Sequence, residues 1–351
     1  MIMTKKKMTR ILAFLLLPFY CLAQIPEYYS SVNFGLTGDD LKDELAVLIT
    51  ETHVNELDYT PDVWNALKAG DLDPENTENV LLIYGYNDND EDPDNDRTRD
   101  KDESCHNTSG GCQGQWVREH VYPRSLGNPN LEYEGPGSDA HHLRPIDFYM
   151  NNSRSNKRFA DGSGDAAVIS GGYFYPGDEW KGDIARMMMY MYVRYQSQCL
   201  AIVVGSGDTT HSEDMPDIFL EWNAEDPVSE YEMNRNNVLN DMQGNRNPFI
   251  DNPYLATIIW NGPNAENTWL LNSDSFLKTD LIVYPTVTTG AVYVDNADNN
   301  NYTYTLYNMV GQEVKSTSAD NKIDLEGNQP GIYILNIVKN DKTKYFRILL
   351  K

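Results

Sequence analysis

Apolar positions recur at helical spacing early in the chain. Leu41, Leu45, Leu48 and Ile49 follow Thr37 and the acid pair Asp39 and Asp40, an N-cap pattern, and predict an amphipathic helix within 37–68. A second short helix is expected over 61–67, with Pro61 in its first turn, where a missing N–H is tolerated. The stretch 79–84 (N-V-L-L-I-Y) reads as an apolar strand or helix. Residues 115–125 read as a strand and turn, 127–137 as a loop and 145–156 as a helix. After a glycine-rich connection at 162–172, the run 183–195 is helical, with Met and Tyr round most of its circumference. Such a belt is core packing more often than a cofactor box. One or two further helices are expected over 219–240, interrupted by Pro227.

The pattern changes near 272–280. From there short alternating runs follow one another between turns: 280–285, 292–294, 302–308, 331–338 and 345–350. Runs of this length and spacing predict a small β-sandwich. At the other end, Lys5, Lys6, Lys7 and Arg10 precede an apolar stretch over 11–17, then Cys21-Leu22-Ala23. That is a secretory signal pattern, too short to span a membrane. Cys21 invites a lipoprotein reading, but Pro18, Phe19 and Tyr20 lack the small residues such a site prefers. The 351 residues therefore divide into a signal peptide (1–23), a mixed domain (24–272) and a β domain (273–351), in keeping with roughly 150 residues per domain. Export follows, to the medium or the cell surface, without stable membrane insertion; the sequence is silent on oligomeric state, and a monomer is assumed.

Export permits disulfides, and Cys105 and Cys112, flanking a Gly-rich loop, are expected to pair, with Cys199 buried and inert. A net charge of −25 speaks against a tight, long-footprint nucleic-acid binder. Locally the balance reverses: 141–158 holds Arg144, Arg154, Lys157 and Arg158 against Asp147 alone. The acids crowd 71–104, with Asp88, Asp90, Asp92, Asp94 and Asp96 on alternate positions. A structural Ca²⁺ in the 88–102 segment is one reading. The missing Gly at the sixth place and missing closing Glu favour a solvated acidic loop.

Chemistry concentrates in 116–156, in W-V-R-E-H-V-Y-P-R-S-L-G, D-A-H-H-L-R-P and M-N-N-S-R-S-N. Glu119 and the Asn151 amide are hard oxygen donors of the kind Mg²⁺ takes, with Mn²⁺ or Ca²⁺ as substitutes. His120, sent to the opposite strand face by alternation, is free to take a proton from water. Singly these are weak signals, since an Asn near a helix start is usually a cap.

Together the segments resemble the endonuclease I family of secreted, non-specific nucleases with a ββα-metal (His-Me finger) site. The E-H pair, the turn His142-Leu143-Arg144-Pro145, Asn151 six residues beyond Pro145, and Arg154-Ser155-Asn156 carry the resemblance. Further matches are G-D-I-A-R-M-M-M-Y-M-Y-V-R-Y at 182–195 and M-Q-G-N-R-N-P-F at 242–249. The resemblance implies an α+β fold, a ββα-metal core wrapped by helices, ahead of the β-sandwich. It also implies hydrolysis of DNA, with RNA as a second substrate. Glu119 and Asn151 would hold the metal and His120 would be the general base. Arg154, then Arg144, would contact the phosphate. His141, His142 and Asn156 would support the site, and Arg118 would touch the nucleic-acid backbone. Zinc held by His141 and His142 is the rival, disfavoured because zinc wants three or four N or S ligands. Relatives with a long insert between the two motif segments take a catalytic arginine from it; here 127–138 is short and has none, so that role falls to another residue. The markers Y-P-T-V-T-T-G, L-Y-N-M-V-G-Q-E-V and P-G-I-Y-I-L-N-I resemble a C-terminal type IX secretion sorting domain, which implies an export machinery as partner. The competing reading is a non-catalytic, calcium-binding adhesion protein.

Overall fold

The computed structural model describes residues 25–107, 109, 111–269, 271, 281–296, 302–309, 311–319, 322–339 and 342–351. The signal-peptide region lies outside them. The chain forms two compact units that part between Leu271 and Asn272.

The first unit is mixed. Helix α1 (Gly38–Glu51) buries Leu41, Leu45, Leu48 and Ile49, the periodic set, and α2 is Asp62–Gly70. Thr37 stands at the N-cap of α1 but makes no capping bond. Strands β1 (Asn79–Leu81) and β2 (Thr98–Asp100) pair antiparallel. Strands β3 (Trp116–His120) and β4 (Leu143–Asp147) form a second antiparallel pair, with Glu119 opposite Arg144 and His120 opposite Leu143. Helix α3 (Phe148–Arg154) follows β4 directly. This shifts the expected helix start by three residues: Pro145 lies inside β4, where a two-stranded ribbon tolerates its missing N–H. Asp147 starts the helix instead, accepting from the amides of Tyr149 (2.6 Å) and Met150 (3.0 Å).

After the hairpin β5 (Ala167–Ile169) and β6 (Tyr173–Tyr175), helices α4 (Lys181–Tyr195), α5 (Asp217–Glu225), α6 (Glu230–Gln243), α7 (Pro248–Asp251) and α8 (Tyr254–Trp260) complete the unit. Helix α4 buries Ile184, Met187, Met188, Met189, Tyr190 and Met191. It packs against α1, α5 and α7, so the Met and Tyr belt is core. Ser229 and Glu232 close a reciprocal cap at the start of α6, which explains the break around Pro227.

Buried charge ties these helices to β4. Arg144 lies 2.7 Å from Asp71 and 3.2 Å from Asp183. Arg235 meets Asp71 at 3.0 Å and donates to the carbonyls of Ala140 and Leu143. Arg186 forks onto Glu232 at 2.7 and 2.8 Å. Cys105 and Cys112 are joined, with Cα atoms 5.9 Å apart, and the Cys105 amide donates to the Trp116 carbonyl at 2.8 Å, pinning the start of β3. Cys199 is free and buried.

The acidic segment is built rather than loose. Asp88 accepts from the amides of Arg97 and Thr98, and Asp90 from Asn87, Asn95 and the Asp92 amide. Arg99 bonds Asp96 (2.9 Å) and reaches across to Asp147 (2.7 Å) at the start of α3. Among the described residues no three His, Cys, Asp or Glu side chains converge for a metal.

The second unit holds β7 (Leu281–Tyr284), β8 (Val287–Thr288), β9 (Ala291–Asn296), β10 (Tyr302–Asn308), β11 (Glu313–Ala319), β12 (Lys322–Asp324), β13 (Gly331–Lys339) and β14 (Lys342–Leu350). A five-stranded sheet, β11-β10-β13-β14-β8, and a three-stranded sheet, β12-β9-β7, share one apolar cluster that includes Val292, Val294, Leu306, Ile323, Leu335 and Ile348. Strands β8, β11 and β12 were not expected. Their residues are mostly polar, as suits short or edge strands.

Candidate active site

Strand β3 sends neighbours to opposite faces. Glu119 points inward and is 2 % exposed. Its Oε1 accepts from the Tyr84 hydroxyl at 3.4 Å and meets Arg154 Nε at 3.3 Å. Burial pushes its carboxyl up to about 7, against the pull of Arg154 and Tyr84. Such a carboxylate is short of positive charge, and an added cation would hold it ionised. Asn151, half-buried on α3, spends its carbonyl on the Ser155 amide. Its side-chain amide makes no hydrogen bond among the described residues and is free to ligate. A buried carboxylate and a free amide oxygen fit a hard divalent ion.

His120 points the other way. Its Nε2 lies 2.9 Å from the Gly137 carbonyl. A carbonyl only accepts, so Nε2 carries the proton and Nδ1 keeps the lone pair. Burial and then the nearby His142 push the imidazole well below its ordinary range, so it is neutral at pH 7. Its ring stacks on Tyr59, centroids 5.5 Å apart and planes at 20°. Gly137 is required at that turn: a Cβ there would sit 1.5 Å from the Glu132 carbonyl oxygen.

The remaining expected residues divide by burial. Arg154, at the end of α3, is 1 % exposed and donates to the carbonyls of Val121 (2.6 Å) and Ser155 (2.9 Å) besides bracing Glu119. Arg144 is fully buried among Asp71 and Asp183. Neither guanidinium has the open face that the expected phosphate contact requires. Arg118 donates to the Tyr59 carbonyl and to Thr60, with its guanidinium between the rings of Tyr59 and Trp64. Asn156 bonds Ser125 at 3.1 Å. His142 donates from Nε2 to the Pro136 carbonyl (2.7 Å), and His141 likewise to Asn245 (3.2 Å). Burial pushes each imidazole down to about 4. Both histidines thus anchor loops.

Sequence reasoning missed three partners. Tyr84, with a backbone φ of 69°, and Tyr59 lie far from the motif in sequence, and nothing in their own surroundings marks them. Asp139 was legible as the acid opening D-A-H-H. Fully buried, it caps the 140–142 turn through the His141 amide and accepts from Tyr190 (2.7 Å), Tyr195 (2.9 Å) and Gln243 (3.0 Å).

A family model described as Endonuclease I matches residues 37–254, which contain every element of this site. The chain belongs to the endonuclease I family. Its nuclease domain resembles the extracellular ribonuclease of Bacillus subtilis (strain 168), 39% identical over 250 residues, covering 68% of this chain and 80% of that protein. The extracellular ribonuclease of Bacillus amyloliquefaciens is 38% identical over 250 residues, with 68% and 79% covered. Residues 282–351 match a secretion system C-terminal sorting domain. This endonuclease I protein is therefore a nuclease, a phosphodiesterase of a family that generally uses a divalent metal. With its sorting domain it is secreted or held at the cell surface. The non-catalytic adhesion reading is set aside on the same ground. No described helix is long and apolar enough to cross a membrane.

Proposed function

We propose that this endonuclease I domain hydrolyses nucleic-acid phosphodiesters with little sequence preference, using His120 as general base and one Mg²⁺-type ion held by Glu119 and Asn151. The observation that supports it most is the division of β3: Glu119 buried against Arg154 and Tyr84, His120 fixed on the opposite face by Gly137. The ion, when bound, supplies Lewis-acid charge stabilisation at the phosphate. Arg154 and Tyr84 hold the Glu119 carboxylate from behind. The Gly137 carbonyl fixes the His120 tautomer, leaving Nδ1 to take a proton from the attacking water as a P–O bond breaks. Such a base contributes about 10²–10⁴-fold.

DNA and RNA are both substrates in this reading. The names of the two Bacillus relatives favour RNA, and no feature of the β3–β4–α3 site selects a sugar. The test is cleavage of supercoiled plasmid and of an RNA transcript by the purified full chain, with Mg²⁺ and with excess EDTA. Metal-dependent cleavage lost in Glu119→Ala and in His120→Ala is expected. Near-wild-type turnover in His120→Ala would remove the base from its role.

A further inference from the structure

We propose that Arg124 is the side chain that contacts the reacting phosphate, held for that task by the 127–138 loop. The inference rests on the nuclease reading above.

Phosphodiester cleavage builds negative charge on phosphate oxygens, and a planar guanidinium answers it with two parallel donors. The basic residues of the 116–158 segment are Arg118, Arg124, Arg144, Arg154, Lys157 and Arg158. Arg144 and Arg154 are buried on carboxylates and carbonyls. Arg118 is sandwiched between aromatic rings. Lys157 donates to the Ser153 carbonyl (2.7 Å), and Arg158 to the carbonyls of Ile202 and Gly205. Arg124 differs. Its Nε donates to the Leu131 carbonyl at 2.7 Å, while its terminal nitrogens make no hydrogen bond among the described residues. They have only a loose contact, 3.8 Å, with Glu132, itself 80 % exposed.

Arg124 is also in the right place. It opens the short turn Arg124–Leu126, four residues past His120. Its guanidinium lies 3.8 Å from the centre of the Tyr133 ring. Tyr133 packs on Tyr59 at 4.5 Å, and Tyr59 stacks on His120. One ladder of rings therefore joins the base to this arginine. The same loop serves both ends, since Gly137 accepts from His120 while Leu131 and Tyr133 hold Arg124. The loop carries no arginine, yet it orients one that precedes it. Fixing Nε and one face leaves the two terminal nitrogens as a preorganised fork, and a lysine could not reproduce that fork.

The test uses the full-length protein with Mg²⁺ and a labelled oligonucleotide, separating kcat from KM. Arg124→Ala should lower kcat by about 10²-fold, the loss typical of removing one transition-state donor. Its thermal midpoint should match wild type, and added guanidinium should recover part of the rate. Arg124→Lys should be intermediate. Tyr133→Ala should lower kcat several-fold alone and add little in the Arg124→Ala background, because the two act as a unit. The proposal is overturned by a kcat within about threefold of wild type in Arg124→Ala, by a loss confined to KM, or by a loss that guanidinium does not relieve. Full additivity with Tyr133→Ala would remove the loop from its role. If the wild-type protein cleaves no nucleic acid, the nuclease reading fails instead.

Discussion

The two units keep their cores by different means. In the C-terminal unit the buried cluster consists of Val, Ile, Leu and Tyr drawn from alternate strand positions, with Leu306 opposite Leu335 and Tyr333 opposite Ile348. No charged side chain is buried there among the described residues. The nuclease unit buries Arg144, Arg154, Arg186 and Arg235 together with Asp71, Asp139, Asp183 and Glu232. An alternating apolar core holds only a fold. A buried charged network also holds directions, because each hydrogen bond constrains an angle as well as a distance. The unit that holds Glu119 and His120 is the one that carries such a network.

The comparison can be broken most sharply at the site. His120→Ala should reduce plasmid nicking by about 10²–10⁴-fold, an effect expected of no core residue in the C-terminal unit. Next comes the network itself. Arg144→Ala leaves Asp71 and Asp183 short of a buried partner and should lower the stability of the nuclease unit by about 3–5 kcal/mol. Urea unfolding followed by tryptophan fluorescence would measure this, since all six Trp lie in that unit. A loss below about 1 kcal/mol would mean that solvent reaches the network. In the other unit, Leu335→Ala should cost about 2–5 kcal/mol through cavity formation, read by circular dichroism, without altering the tryptophan-detected transition.

Acid sharpens the contrast at a smaller scale. All six His lie before the C-terminal unit. His141 and His142 bind protons near pH 6.5 when unfolded but only near 4 when folded. The unfolded state therefore binds more protons in that window. Stability of the nuclease unit should fall as pH drops from 6.5 to 4, with no further loss from these groups below it. His142→Asn should flatten that slope; an unchanged slope would exclude His142 as its source. The smallest effect concerns the acidic segment. Its carboxylates already accept from their own backbone and from Arg99, so in Glu119→Ala, where the β3 carboxylate is gone, millimolar Ca²⁺ should raise the melting temperature by less than about 1 °C. A larger rise would restore the calcium reading.

Much was legible beforehand. The Leu41–Ile49 periodicity, the α4 belt, the Cys105–Cys112 pair and the alternating runs of the β domain each follow from local pattern, as do the spacings that carry Glu119, His120 and Asn151. Less local matters were misjudged. Pro145 was placed in a helix because β4 is recognisable only through its pairing with β3. The burial of Arg154 and Arg144 was equally hidden, because charge in a sequence says nothing about which arginine is enclosed.

Local sequence thus determined the elements and the chemistry available, because periodicity and strand alternation act over a few residues. Tertiary structure alone decided the assignments: Arg154 behind Glu119, Tyr59 against His120, and Arg124 left open beside the loop that holds it. These depend on groups tens of residues apart meeting in a low-dielectric interior, where a paired charge becomes fixed architecture and an unpaired one remains available for chemistry.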